Sequence, residues 1–212
     1  AEAASCRSEA EACAQRLTEV RTQAAQRLEK KMNKLLPKLG FMGATLRVEI
    51  RRADRLTTTG WDRMDLMLEA NPGEGFGPVH AQASGGEKAR LLLALDCSLP
   101  RRDHLCTVFY DEIDAGMGGR AAQAVARLLQ KQSEGLQVLV VTHQAAVAAA
   151  ATQQFRLQKA RQGRRTVLDV TELKATEREA ELARMTSGDA APQAATAVAR
   201  ALLEEGQTRG PV

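Results

Sequence analysis

The sequence has no apolar run near the roughly 20 residues that a bilayer-spanning helix needs. Its longest apolar stretch, 145–151, is mostly alanine and holds nothing bulkier than Val147. No charged segment followed by an apolar one opens the chain, so secretion is not indicated. No C-x-x-C pair is present, and Cys6, Cys13, Cys97 and Cys106 are scattered. They read as small apolar side chains of a reduced, cytoplasmic protein, not as a disulfide framework or zinc site. No internal repeat is visible. Charge of one sign is also scarce over most of the chain. Residues 1–40 carry eight Lys/Arg against five Asp/Glu, and the remainder 22 against 21. Net charge by itself therefore does not argue for nucleic-acid binding. The chain does not begin with Met and opens inside a helical pattern, so it is expected to be a fragment.

Residues 2–36 contain neither Gly nor Pro and are rich in Ala, Glu, Gln, Arg and Leu, which favour helix. Apolar residues recur at Ala3, Cys6, Ala10, Cys13, Leu17, Val20 and Ala24. That 3.5-residue period predicts one seam for packing against another helix. The seam shifts to Leu28, Met32 and Leu35, a stutter that locally unwinds a coiled coil. Pro37 and Gly40 end the helix.

Beyond the arm the periodicity changes. Leu46, Val48 and Ile50 alternate with Arg47, Glu49 and Arg51, which predicts a half-buried strand over 45–51 and a second over 64–70 after a polar turn. Residues 71–77 hold Pro72 and three glycines and must be loop. Helix is expected at 85–98, a buried strand at 105–111, helix at 119–132, a buried strand at 137–142 and a short helix at 144–152. A hairpin follows over 155–173 around the basic turn 161–165, then helices at 176–186 and 192–204. Buried strands alternating with helices argue for an α/β fold with mostly parallel core strands.

Three segments carry candidate chemistry. Ser84, Gly85, Gly86, Glu87 and Lys88 open a helix. Two glycines at a helix N-terminus let backbone N–H groups approach an anion, and the helix dipole favours negative charge there. Ser84 with Glu87 is equally a capping box that needs no ligand, and both roles are compatible. The second segment is an apolar strand that ends in Asp111 and Glu112, placing two carboxylates at the edge of a sheet where ligands bind in open α/β folds. The third is the apolar run Val138 to Val141, ending in Thr142 and His143. Each alone is weak; their order over about sixty residues, with Asp114 and Gly116 after the carboxylates, is more specific.

That order resembles the C-terminal half of an ABC-type ATPase head. Ser84 to Glu87 resemble the signature motif, Val108 to Glu112 the Walker B strand, Ile113 to Gly116 the D-loop, and Thr142 with His143 the switch histidine. Transport ATPases usually follow Asp-Glu with Pro. Here Ile113 and Asp114 follow, as in the SMC-like chromosome and repair branch. The run 111–120, Asn71 to Glu74 ahead of the signature, and the tail 181–185 are similar to the RecN group of bacterial DNA repair proteins. Ala83 stands where many signature motifs carry Leu, Lys88 and Ala89 replace the usual pair, and Ala115 replaces a Thr.

The resemblance implies an SMC-type head lobe over 39–212, with 1–38 as the returning arm of an antiparallel coiled coil. It implies ATP and Mg²⁺ as ligands, with Asp111 supporting the metal, Glu112 orienting the attacking water and His143 contacting the γ-phosphate. Ser84, Gly85, Gly86 and Glu87 would reach ATP held by a second head, and Asp114 would lie at that interface. No G-x-x-x-x-G-K-[ST] occurs in the sequence, so the phosphate cradle is expected on a missing N-terminal half. Expected partners are that half, a second head, and DNA, with no membrane partner and a cytoplasmic or nucleoid-associated location. Lys30, Lys31, Lys34 and Lys38, and Arg161, Arg164 and Arg165, are the candidate DNA contacts, though a solvated charged face is the better-supported reading of each. The alternatives are a non-catalytic coiled-coil or DNA-binding protein on the same fold, and a transporter ATPase subunit.

Overall fold

Helix α1, Glu2–Leu35, opens the fold and passes into a 3₁₀ turn, Leu36–Leu39, closed by Gly40 in the left-handed conformation. In the computed structural model residues 2–100, 107–162, 165–188 and 193–207 are described. Leu105 and Cys106 of the expected third strand, Arg164 of the basic turn and Pro192 lie outside them. The fold divides into two compact units, Ala1–Pro100 and Arg101–Val212.

In the first unit β1 (Thr45–Thr57) and β2 (Gly60–Glu69) form an antiparallel hairpin, longer than the alternation alone predicts. A two-residue β3 (Gly77–Pro78) joins β2, and a short α2 (Val79–Gln82) leads to α3 (Gly85–Ser98). Met32, Leu36, Leu39, Leu46, Leu68 and Leu93 are fully covered and form the core. The stripe of α1 that meets this core runs through Ala14, Ala25 and Met32. It is not the seam of Ala10, Cys13, Val20 and Ala24, which stays exposed. The helix thus has one face committed to the hairpin and another left open.

Polar contacts fix the arm to the hairpin at two levels. At the turn, Arg21 Nη1 donates to Asp62 Oδ2 (2.8 Å) and Arg21 Nη2 to the Thr59 carbonyl (2.9 Å). Thr18 Oγ1 donates to Asp62 Oδ1 (2.7 Å) and accepts from Trp61 Nε1 (3.0 Å). Nearer the core, Asn33 and Glu29 bond the backbone of β1, and Lys31 Nζ donates to the Ser98 carbonyl at the end of α3 (3.1 Å).

The second unit contains the one parallel pair among the described strands, β4 (Thr107–Asp111) beside β5 (Gln137–Val141), joined through α4 (Gly119–Ser133). Parallel pairing is confined to these two strands; the hairpin β6 (Phe155–Gln162) with β7 (Arg165–Glu172) is antiparallel, like the sheet of the first unit. Burial differs from expectation here. Both core strands were expected to be covered on two faces, yet Phe109, Leu139 and Val141 are exposed while Tyr110 is covered. The α4 side supplies cover for one face only.

Helices α5 (Ala145–Ala149), α6 (Ala175–Ser187) and α7 (Gln193–Gln207) pack through Ala145, Ala148, Ala149, Leu182, Ala183, Ala195 and Ala199. Small side chains explain the alanine-rich run: they let the backbones approach, and a Cβ on Gly206 would stand 2.7 Å from the Ala149 carbonyl oxygen. Among the described residues, no helix is long and apolar enough to cross a membrane.

Candidate functional site

The candidate residues fall in both units: at the start of α3 in the first, and at the ends of β4 and β5 in the second. In the first, Ser84 is the N-cap of α3, in extended conformation. Its backbone N–H donates to Glu87 Oε2 (2.8 Å), and its Oγ accepts from the Glu87 N–H (3.5 Å), completing the capping box. The Glu87 carboxyl is held below its ordinary value, chiefly by the Ser84 N–H, with the Ser84 side chain and the Arg90 charge adding. The cap uses Ser84 and Glu87 but leaves the amides of Gly85 and Gly86, which have no partner within a helix. Space beside Gly85 is open: a Cβ there would meet nothing within 4 Å. The arrangement therefore keeps the two glycine amides available to an anion from outside the unit.

In the second unit, register decides the geometry. Asp111 lies opposite Val141 in the parallel pair, so the chain leaves β4 into Glu112 and leaves β5 into Thr142 and His143 at one carboxyl edge. Asp111, Glu112 and the His143 side chain are exposed there. Glu112 has φ of 50°, the one non-glycine residue with positive φ among those described. That conformation costs an L-residue about 1–2 kcal/mol. Its carbonyl accepts from the Ala115 N–H (3.0 Å), and the Asp114 carbonyl accepts from the Met117 N–H (3.2 Å), so the loop curls back at once.

Asp114 departs from expectation. It was expected at a surface between two heads, yet it is 0% exposed, turned inward between the loop and β5. Its Oδ2 accepts from the Thr142 hydroxyl, the His143 N–H (3.2 Å) and the Gln144 N–H (3.0 Å). His143 Nδ1 lies 3.7 Å from the same oxygen. Gln144 was not singled out by spacing; its side chain donates to the Met117 carbonyl (3.4 Å) and ties the same loops. Nothing in a single sequence marks a glutamine three residues past a strand for this role.

Among the described residues no group of three or more His, Cys, Asp or Glu side chains gathers as a metal cage. Two exposed carboxylates at a strand end suit Mg²⁺ nonetheless, since that ion commonly takes one or two protein carboxylates and fills its shell with phosphate and water. The donors present thus fit a metal shared with a phosphorylated ligand. They do not fit one held by protein alone.

This fold is that of an SMC-type head. It aligns with the Smc head domain with a coiled coil and joint from Pyrococcus yayanosii at a TM-score of 0.56 and 23% identity, over 79% of this chain and 30% of that one. Residues 9–166 match the RecF/RecN/SMC N terminal domain model, and the chain belongs to that family. It is 38% identical to the DNA repair protein RecN of Rickettsia prowazekii, over 85% of this chain and 32% of the relative. It is 35% identical to the DNA repair protein RecN of Streptomyces coelicolor, over 96% and 38% respectively. The chain thus spans about a third of the length of the curated relatives it matches.

Proposed function

We propose that the chain is the C-terminal lobe of the ATPase head of a RecN-type protein acting in DNA double-strand break repair and recombination, with residues 1–38 as its returning coiled-coil arm. The observation that carries this reading is the register of β4 against β5, which brings Asp111, Glu112 and the His143 turn to one sheet edge. The relatives named RecN support the repair assignment.

The phosphate cradle comes from an N-terminal half. Asp111 would hold Mg²⁺, which would supply positive charge against the phosphates. Glu112 orients a water for in-line attack and takes its proton, work worth roughly 10²–10⁴ in rate. Its left-handed backbone is the kind of local strain that collects at working sites. His143 donates to the terminal phosphate. Ser84, Gly85 and Gly86 grip the nucleotide of a second head through hydroxyl and amides, so that ATP clamps two heads together.

Exposed apolar surface supports an absent half. Phe109, Leu139 and Val141 on the core pair, and Phe155, Leu157, Leu168 and Val170 on one hairpin face, are all more than 40% exposed. Two-stranded sheets with bare apolar faces are marginal alone. The open seam of α1 fits the outgoing helix of an antiparallel coiled coil. For DNA, Lys30, Lys31, Lys34, Lys38, Arg161 and Arg165 are exposed, with Lys31 also donating to the Ser98 carbonyl.

The test uses the full-length protein. Glu112→Gln should abolish ATP turnover while ATP-dependent dimers persist; parental turnover in that variant would remove Glu112 as the base. Neutralising the lysines should flatten the salt dependence of DNA binding.

A further inference from the structure

Within this ATPase reading, we propose that Asp114 is a positioning residue: its buried carboxylate locks the Glu112 loop to the His143 turn so that both reactive groups share one frame. Three donors converge on a single oxygen, from the Thr142 hydroxyl and the two successive amides of His143 and Gln144. Thr142 Oγ1 in turn accepts from the Gln144 N–H (3.0 Å), so the turn closes on itself around the carboxylate. Asp114 stands only two residues past Glu112, inside the curl that the Ala115 and Met117 amides fasten. A short covalent path and one hydrogen-bonded oxygen therefore join the two groups.

A neutral acceptor gathers three N–H and O–H donors poorly, whereas a carboxylate does so well. Asp114 Oδ1 has no hydrogen-bond partner among the described residues although it is fully covered. A buried polar atom left unmatched weakens a purely structural explanation, because a smaller polar residue would cap the turn without that cost. The His143 ring is 64% exposed, with Nδ1 3.7 Å from Asp114 Oδ2, while the backbone N–H is hydrogen-bonded to that oxygen. The carboxylate thus fixes where the ring starts and leaves its tip free for a ligand. It acts through His143 and touches no substrate itself.

Two measurements on the full-length protein test this. Asp114→Ala should speed amide exchange at His143 and Gln144 by about 10- to 100-fold, with α4 amides unchanged. It should lower kcat by about 10- to 100-fold with KM for ATP nearly unchanged. Asp114→Asn, which keeps an acceptor oxygen, should recover part of both. Thr142→Val, a milder change that keeps the carboxylate, should raise Gln144 exchange and lower kcat in the same direction, and it guards against a misfolded Asp114→Ala. Unchanged exchange at 143 and 144 in both variants overturns the tether. Faster exchange with parental kcat overturns the positioning role. A parental protein that turns over no ATP sinks the ATPase reading instead, and the exchange measurement still decides the tether.

Discussion

Asn33 on α1 takes both backbone hydrogen bonds of Leu46 on β1: its Nδ2 donates to the Leu46 carbonyl and its Oδ1 accepts the Leu46 N–H, each at 2.8 Å. Glu29, one turn earlier, accepts the Val48 N–H at 2.6 Å. The free edge of β1 is thus paired by side chains of a helix rather than by another strand. This answers the edge-strand problem and fixes α1 in register with the sheet.

Asn33→Ala leaves two buried-side backbone groups of Leu46 without partners, and it should destabilise the protein by about 1–3 kcal/mol in chemical denaturation. Asn33→Asp keeps the acceptor and loses the donor, so it should fall between. A loss within about 0.5 kcal/mol for Asn33→Ala would mean that water replaces the amide at no cost.

At the other end of the hairpin, Asp62 is nearly fully covered and paired to Arg21. Burial pushes its carboxyl up, yet the hydrogen bonds from Arg21 and Thr18 and the Arg21 charge outweigh it and hold the pKa below the ordinary value. A group depressed in the folded state stabilises above its unfolded pKa and loses that contribution as pH falls through its folded pKa. Stability should therefore fall on acidification below the ordinary carboxylate range. Asp62→Asn should be less stable than parent at neutral pH and show a shallower acid limb. Identical limbs in parallel denaturation series would detach Asp62 from the acid response.

Much of the fold was legible because it is local. Helix α3 matches its expected bounds of 85–98, since Ser84 and Glu87 mark its start chemically and the apolar period marks its length. The hairpin and the parallel pair followed from alternation and apolar runs in the same way. What stayed hidden depends on distant partners. The Thr18–Asp62 bond spans 44 residues and the Asn33–Leu46 bonds join a helix to a strand edge, and no period records either. The exposure of Phe109 was unreadable for a related reason: an apolar strand states that it needs cover on both faces, not which chain supplies it. Asp114 was singled out by motif and placed at a surface, whereas its burial depends on the turn after β5.

Glu112 offers a stability test independent of turnover. Its positive φ suits glycine, so Glu112→Gly should relieve strain and, against the added freedom of the unfolded chain, stabilise by up to about 1 kcal/mol. Glu112→Gln keeps the Cβ and should leave stability near parent. Both should lack ATP turnover. If Glu112→Gly were instead the less stable of the two by denaturation, the left-handed conformation would carry no strain to release.

The exposed face of β4 and β5 makes the proposed N-terminal half testable with separate pieces. Phe109 is 60% exposed and stands opposite Leu139 in the pair, with Val141 beyond it on the same face. Covering side chains of this size contributes about 1.5–3 kcal/mol each. This chain alone, lacking a phosphate cradle, should turn over no ATP. Mixing it with the N-terminal half proposed above should restore turnover, and Phe109→Asp should weaken that reconstitution by about 10- to 100-fold in the concentration required. The same change should make the isolated chain less prone to associate, since it removes the largest side chain of the bare face. Turnover by the chain alone would overturn the need for an N-terminal half. Full reconstitution of Phe109→Asp at parental concentrations would place the contact on another face, with the hairpin residues Leu157 and Val170 as the next to change.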